Sequence, residues 1–99
     1  MNIEKMMKDL QRMQSKLRDE IETLEVDGTS GGGAVTARVN GKKDLVGLTL
    51  TAGAITPDDP GMMQDLIIVA INEAGRKIDA EIERKTQNLA GGVKIPGRS

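Results

Sequence analysis

Four basic side chains, Lys5, Lys8, Arg12 and Lys16, recur every three or four residues near the start of the chain. On a helix, which turns about 100° per residue, they share an arc of about 80°. Like charges three and four residues apart each cost a few tenths of a kcal/mol in an isolated helix. Such a row becomes favourable once phosphates lie against it, so its chemistry is polyanion binding. The alternative is an ordinary solvated face. Charge is segregated along the chain: residues 1–18 carry five basic and two acidic side chains, a balance of +3. Asp19, Glu20, Glu22, Glu25 and Asp27 then follow with no base among them, whereas residues 84–99 hold Arg84, Lys85, Lys94 and Arg98 and no acid. The formal net charge of −1 conceals this separation.

Other chemistry is thinly represented. There is no Cys and no His, which removes disulfides, thiolate metal sites, cysteine nucleophiles and the commonest general base. Ser15, Ser30 and Ser99 therefore have no histidine partner. Gly31-Gly32-Gly33 lacks the Lys-Ser/Thr of a phosphate loop and precedes a strand pattern, so it reads as a turn or bulge. Asp58 and Asp59 have no third acid at calcium-loop spacing and read as a helix start. We expect no enzyme, no metal, no cofactor and no small-molecule substrate. With no Phe, Trp or Tyr, stacking of bases on rings is unavailable, which disfavours single strands and looped RNA. Duplex phosphates remain the suitable partner.

The elements that must carry these residues follow from periodicity. Ile3, Met6, Leu10, Met13, Leu17, Ile21 and Leu24 have the three–four spacing of an amphipathic helix, with Ile3, Leu10, Leu17 and Leu24 seven apart. The period then changes to two. Glu25 to Ser30 is a short strand, Val35-Ala37-Val39 and Val46-Leu48-Leu50 alternate, and Asn40-Gly41 between them signals a hairpin turn. Asp59 before Pro60 predicts an N-cap, and a second helix from about Pro60 to Leu89 is expected to stop at Gly91-Gly92. The fold class is α+β, an α-β-β-β-α order with a small antiparallel three-stranded sheet and two long helices. Residues 1–90 form one domain, and residues 91–99 a flexible tail.

Leu66 to Ile71 is apolar on every side of the second helix, more surface than a small sheet can cover. Ala70, Ala74 and Gly75 are small enough for another helix to approach, and a helical glycine suggests a packing reason. We expect a homodimer interface at Leu66, Ile67, Ile68, Ile71, Ala74 and Gly75. The first helix ends at the sheet and the second begins there. Antiparallel packing then brings Lys5, Lys8, Arg12 and Lys16 beside Arg84 and Lys85, one basic tip per subunit away from the sheet. No apolar run approaches the roughly 18 residues of a membrane span, and the opening residues carry Glu4, Lys5, Lys8 and Asp9, unlike a signal peptide. A soluble cytoplasmic protein without membrane attachment is expected.

Taken in order, the motifs resemble the YbaB/EbfC family of bacterial nucleoid-associated proteins. They are Met6-Met7-Lys8 with Gln11 and Met13-Gln14, Gly32-Gly33-Ala34-Val35, Val39-Asn40-Gly41, Met63-Gln64-Asp65-Leu66-Ile67 leading to Ala70-Ile71-Asn72-Glu73-Ala74, Gly91-Gly92 and Ile95-Pro96-Gly97. The resemblance implies a tweezer-shaped homodimer that binds DNA in the nucleoid through projecting helices with weak sequence preference. The competing function is a protein-interaction or prefoldin-like chaperone module that binds no nucleic acid. Its helices would be short, about 36 and 45 Å at about 1.5 Å per residue, and its tips would need exposed apolar side chains.

Overall fold

The computed structural model describes residues 2–55 and 57–89. Its elements are α1 (Ile3–Glu22), β1 (Glu25–Ser30), β2 (Val35–Asn40), β3 (Leu45–Leu50), a short 3-10 turn (Ala52–Ala54) and α2 (Pro60–Leu89), the α-β-β-β-α order that the alternating periods predict. The strands form one antiparallel sheet in the order β1-β2-β3. The expected helix stop at Gly91-Gly92 and the tail 91–99 lie outside the described residues.

Local chemistry fixes the boundaries. Asn2 caps α1 by accepting from the Lys5 amide at 3.3 Å. At the other end the Thr23 hydroxyl donates to the Glu20 carbonyl at 3.0 Å, and the Leu24 amide to the Ile21 carbonyl at 3.1 Å. The helix therefore stops two residues before Leu24, the last member of its apolar series. Asp59 caps α2, its Oδ1 accepting from the Met62 amide at 3.0 Å. The β1–β2 turn runs through Gly31, Gly32 and Gly33, all with positive φ.

Asn40-Gly41 is not the centre of a two-residue turn. The loop is Gly41 to Asp44, and the residue with positive φ is Lys43, at 66°. Asn40 organises it as an Asx turn, Oδ1 accepting from the amides of Lys42 at 2.9 Å and Asp44 at 3.0 Å. Gly41 is required for a different reason: a Cβ there would fall on the Ile21 carbonyl oxygen, where the loop crosses the end of α1.

The core lies between α2 and the sheet. Val35, Ala37 and Val39 of β2 face Ala70, Ala74 and Ile78 of α2, and among the described residues only Ile78 and Val35 are large and fully buried. Close approach depends on Gly28 in β1, where a Cβ would collide with the Ala70 carbonyl oxygen and the Ala74 amide nitrogen. Ser30 adds a hydrogen bond from its hydroxyl to the Leu66 carbonyl at 2.5 Å. Ala70 and Ala74 are small because the sheet comes close to them. They are fully covered by their own subunit, so Ala74 has no surface to offer to a partner, contrary to the interface expected from sequence. Gly28→Ala must push helix backbone away and should cost about 3 kcal/mol, lowering Tm by 10 °C or more. Gly53→Ala, with open space at its Cβ, is the matched control in a thermal melt followed by circular dichroism.

α2 covers β1 and β2 but leaves β3 bare except at Leu50. Leu48 pairs with Ala37 and Leu45 with Val39, so they share the core face. Ala37 is 0% exposed and Val39 5%, whereas Leu48 is 40% and Leu45 45% exposed. No residue of α1 is buried. The radius of gyration is 19.0 Å, against about 13 Å for a compact chain of this length, and the extents are 70 × 28 × 16 Å. The molecule is a small body with a projecting arm.

Candidate nucleic-acid interface

The arm is α1. Lys5, Lys8, Arg12 and Lys16 are all exposed on it, and among the described residues none has an ion-pair partner. Several cations of the body, by contrast, are paired. Arg38 pairs with Asp27 at 2.9 Å, Lys43 with Asp79 at 2.9 Å and Lys77 with Glu73 at 3.1 Å. The hydrogen bond from the Arg38 guanidinium, aided by its charge and that of Lys77, holds the Asp27 carboxyl below its ordinary range. Asp27 in turn raises Arg38. The sheet's outer face is therefore neutralised internally, and the α1 row is not.

Arg84 and Lys85 do not join that row. Arg84 bonds to Glu81 one turn earlier, which raises its guanidinium above the usual value. Lys85 Nζ lies 4.0 Å from Glu20 Oε2, in the acidic last turn of α1. Glu20 is eight residues from Arg12 and fifteen from Lys5, about 12 and 22 Å along the helix. The helices are thus offset: Lys85 meets the acidic last turn of α1, about one turn from Lys16, and the stretch from Lys5 to Arg12 extends beyond that contact. Of the residues expected to form one tip, Lys5, Lys8 and Arg12 stand apart from Arg84 and Lys85, each of which faces a carboxylate, while Lys16 lies one turn from Glu20.

The sequence-derived interface residues divide in two. Leu66, Ile67 and Ile71 are half-buried against the core, as are Leu50 and Ile82. Ile68 is 54% exposed, and a Cβ on Gly75 would meet nothing within 4 Å. Lys77 Nζ donates to the Asp27 carbonyl at 3.0 Å, and the Thr29 amide donates to Glu73, so Glu73 and Lys77 mark the flank of α2 that reaches β1. Ile68, Ile71 and Gly75 fall on the opposite flank, toward bare β3. Ile68, Gly75 and the exposed part of Ile71 thus lie on the side of α2 toward β3, whose Leu45 and Leu48 are also exposed. The β3 half escaped the sequence reading, although the alternation Leu48-Thr49-Leu50 carried the signal.

Among the described residues no helix is long and apolar enough to cross a membrane. A likeness in fold comes from the crystal structure of an uncharacterized protein, HP0035, of Helicobacter pylori. It matches with a TM-score of 0.71 at 23% identity, over 92% of this chain and 99% of that one. A nucleoid-associated protein of Chloroflexus aurantiacus is 40% identical over 90% of this chain and 89% of its own length. The nucleoid-associated protein NT01CX_0824 of Clostridium novyi is also 40% identical, over 98% and 88%. The family model that matches residues 1–93 is described as the YbaB/EbfC DNA-binding family. With relatives this similar along nearly its whole length, the chain belongs to the YbaB/EbfC DNA-binding family.

Proposed function

We propose that this protein is a non-catalytic homodimer that binds duplex DNA through the basic face of α1, mainly by contacts to phosphates, as a component of the bacterial nucleoid in the cytoplasm. The observation that carries this reading is the row Lys5, Lys8, Arg12 and Lys16, exposed and unpaired among the described residues on a helix that stands away from the body. Family membership supports DNA as the polyanion. A row of about 16 Å from Lys5 to Lys16 can follow a groove edge and meet several phosphates. Lys and Arg on phosphates position without reading bases, so sequence preference is weak.

The second subunit covers the apolar surface of α2 and β3. Two fully buried large side chains are a small core for one domain, and a partner's burial of Ile68, Ile71, Leu45 and Leu48 supplies what the single chain lacks. Gly75 tests this contact. In a free helix face Gly75→Ala stabilises by about 0.5–1 kcal/mol. Where a partner helix lies against the glycine, the gain disappears and Gly75→Leu dissociates the dimer.

Four contacts per arm and eight per dimer give a slope of log K against log salt near −7, at about −0.9 per phosphate. Affinity should fall about 10⁴-fold between 50 and 200 mM salt and differ little between unrelated duplexes, measured by fluorescence anisotropy. A shallow slope, or a large preference for one site, contradicts phosphate-dominated binding. The exposed apolar side chains of α1 favour a second reading, a holdase that grips unfolded chains. Suppression of aggregation of an unfolded substrate, with no duplex binding at low salt, would select it.

A further inference from the structure

DNA binding by the basic row leaves the other side of α1 unused. Ile3, Met6, Met7, Leu10 and Met13 are each 50–70% exposed. They form a stripe opposite Lys5, Lys8 and Arg12, so a duplex on that side does not obstruct the stripe. Lys16 lies at the edge between the two faces, and in the joined form the phosphates keep the other three cations. Five such side chains in a row exceed the scattered apolar exposure of an ordinary surface. We propose that this stripe pairs antiparallel with the same stripe of a second copy, joining one homodimer to another. The size of the resulting particle rests on the homodimer reading; the helix contact itself does not.

Charge beside the stripe selects the occupant, its direction and its register. Ile3, Leu10 and Leu17 hold one seam position of a heptad pattern, and Met6 and Met13 the other. Asp9 and Lys16, the residues before Leu10 and Leu17, flank that seam. Both are exposed, and neither has an ion-pair partner among the described residues. When Leu10 meets Met13 of the second copy and Met6 meets the accessible part of its half-buried Leu17, Asp9 lies across from Lys16, and two-fold symmetry repeats the pair. The other flank sets Met7 against Gln14, without charge. A slide of one heptad one way places Asp9 against Asp9, and the other way Lys16 against Lys16. Parallel pairing places Asp9 by Gln14 and Lys16 by Ile21, which gives no ion pair. One antiparallel register alone satisfies both charges. Lys5, Lys8 and Arg12 then point outward from each helix, so the joined arms present basic surface on two opposite sides.

The test is a charge exchange read by sedimentation equilibrium from 1 to 500 µM. The unaltered protein should add a species of about 42 kDa, four times the 10.6 kDa chain, as concentration rises. Asp9→Lys or Lys16→Asp alone puts like charges together twice and should weaken that association about tenfold or more. The double variant Asp9→Lys/Lys16→Asp should restore it. Because the chain has no Cys, a mixture of Leu10→Cys and Met13→Cys proteins should form disulfides faster than either alone. Should the homodimer reading fail while this one holds, the largest species is about 21 kDa and Asp9→Lys still splits it. A largest species at 500 µM whose mass Asp9→Lys and Lys16→Asp leave unchanged, or a double variant no better than the singles, overturns the proposal. So does co-sedimentation of an unassociated dimer with phosphatidylglycerol vesicles, which would assign the stripe to a lipid surface.

Discussion

Reversing three charges on one helix, Lys5→Glu with Lys8→Glu and Arg12→Glu, is expected to abolish duplex binding at 100 mM salt while the protein keeps its helix content and mass. The row is exposed and none of the three has an ion-pair partner among the described residues, so nothing in the fold is lost with them. Exposed charges contribute little to stability, and Glu in place of Lys5, in the first turn, suits the helix dipole. The phosphates, by contrast, lose six attractive contacts per dimer and meet six repulsive charges, a loss of at least about a thousandfold. Arg84→Glu with Lys85→Glu should do much less, within about tenfold. Arg84 already bonds to Glu81, and Lys85 lies 4.0 Å from Glu20, so these two present little free charge. Arg76→Glu, exposed on α2 beside the sheet, is the control for a single charge reversal away from α1. If it and the Arg84/Lys85 variant lose binding while the α1 variant keeps it, the arm is not the interface.

The second large effect concerns assembly. Light scattering coupled to size exclusion should report about 21 kDa, twice the chain mass of 10.6 kDa. Ile68→Asp combined with Leu48→Asp should return the mass to that of one chain at micromolar concentration. Both side chains are at least 40% exposed in the single subunit, so the carboxylates are tolerated there. In a dimer they would be buried and unpaired, which costs several kcal/mol each and exceeds what a modest interface can offset. Val69→Asp is the control, since Val69 is equally accessible at 50% but lies on the flank of α2 toward β1. A 10.6 kDa particle for the unaltered protein, or a dimer indifferent to Ile68 and Leu48, contradicts the proposed surface.

Periodicity carried most of the fold. The bounds of β1 and α2, the capping role of Asp59 and the turn at Gly31 to Gly33 are all local, set by residues within a few positions of one another. The features that escaped depend on neighbours distant in sequence. Small residues on a helix announce a close approach without naming what approaches: Ala70 and Ala74 suggested a second helix, yet their neighbour is Gly28, more than forty positions away. Asn40-Gly41 resembled a tight turn because both residues favour one, but Gly41 is held by the nearby Ile21 carbonyl and the loop runs on to Asp44. The offset of the helices depends on how α1 meets the body, and no periodicity within either helix encodes it. The basic row itself was legible because it is a property of one helix. Its isolation from Arg84 and Lys85 was not.

Lysine reactivity offers the most direct test of where DNA lies. The protein is acetylated briefly with and without a saturating random duplex at 50 mM salt, and modification is quantified at each lysine by mass spectrometry. Lys5, Lys8 and Lys16 should be protected strongly, while Lys42, Lys43 and Lys77, on the loop and beside the sheet, should react as in the free protein. Protection of Lys42, Lys43 and Lys77 with α1 left reactive would contradict the account and move the interface to the body.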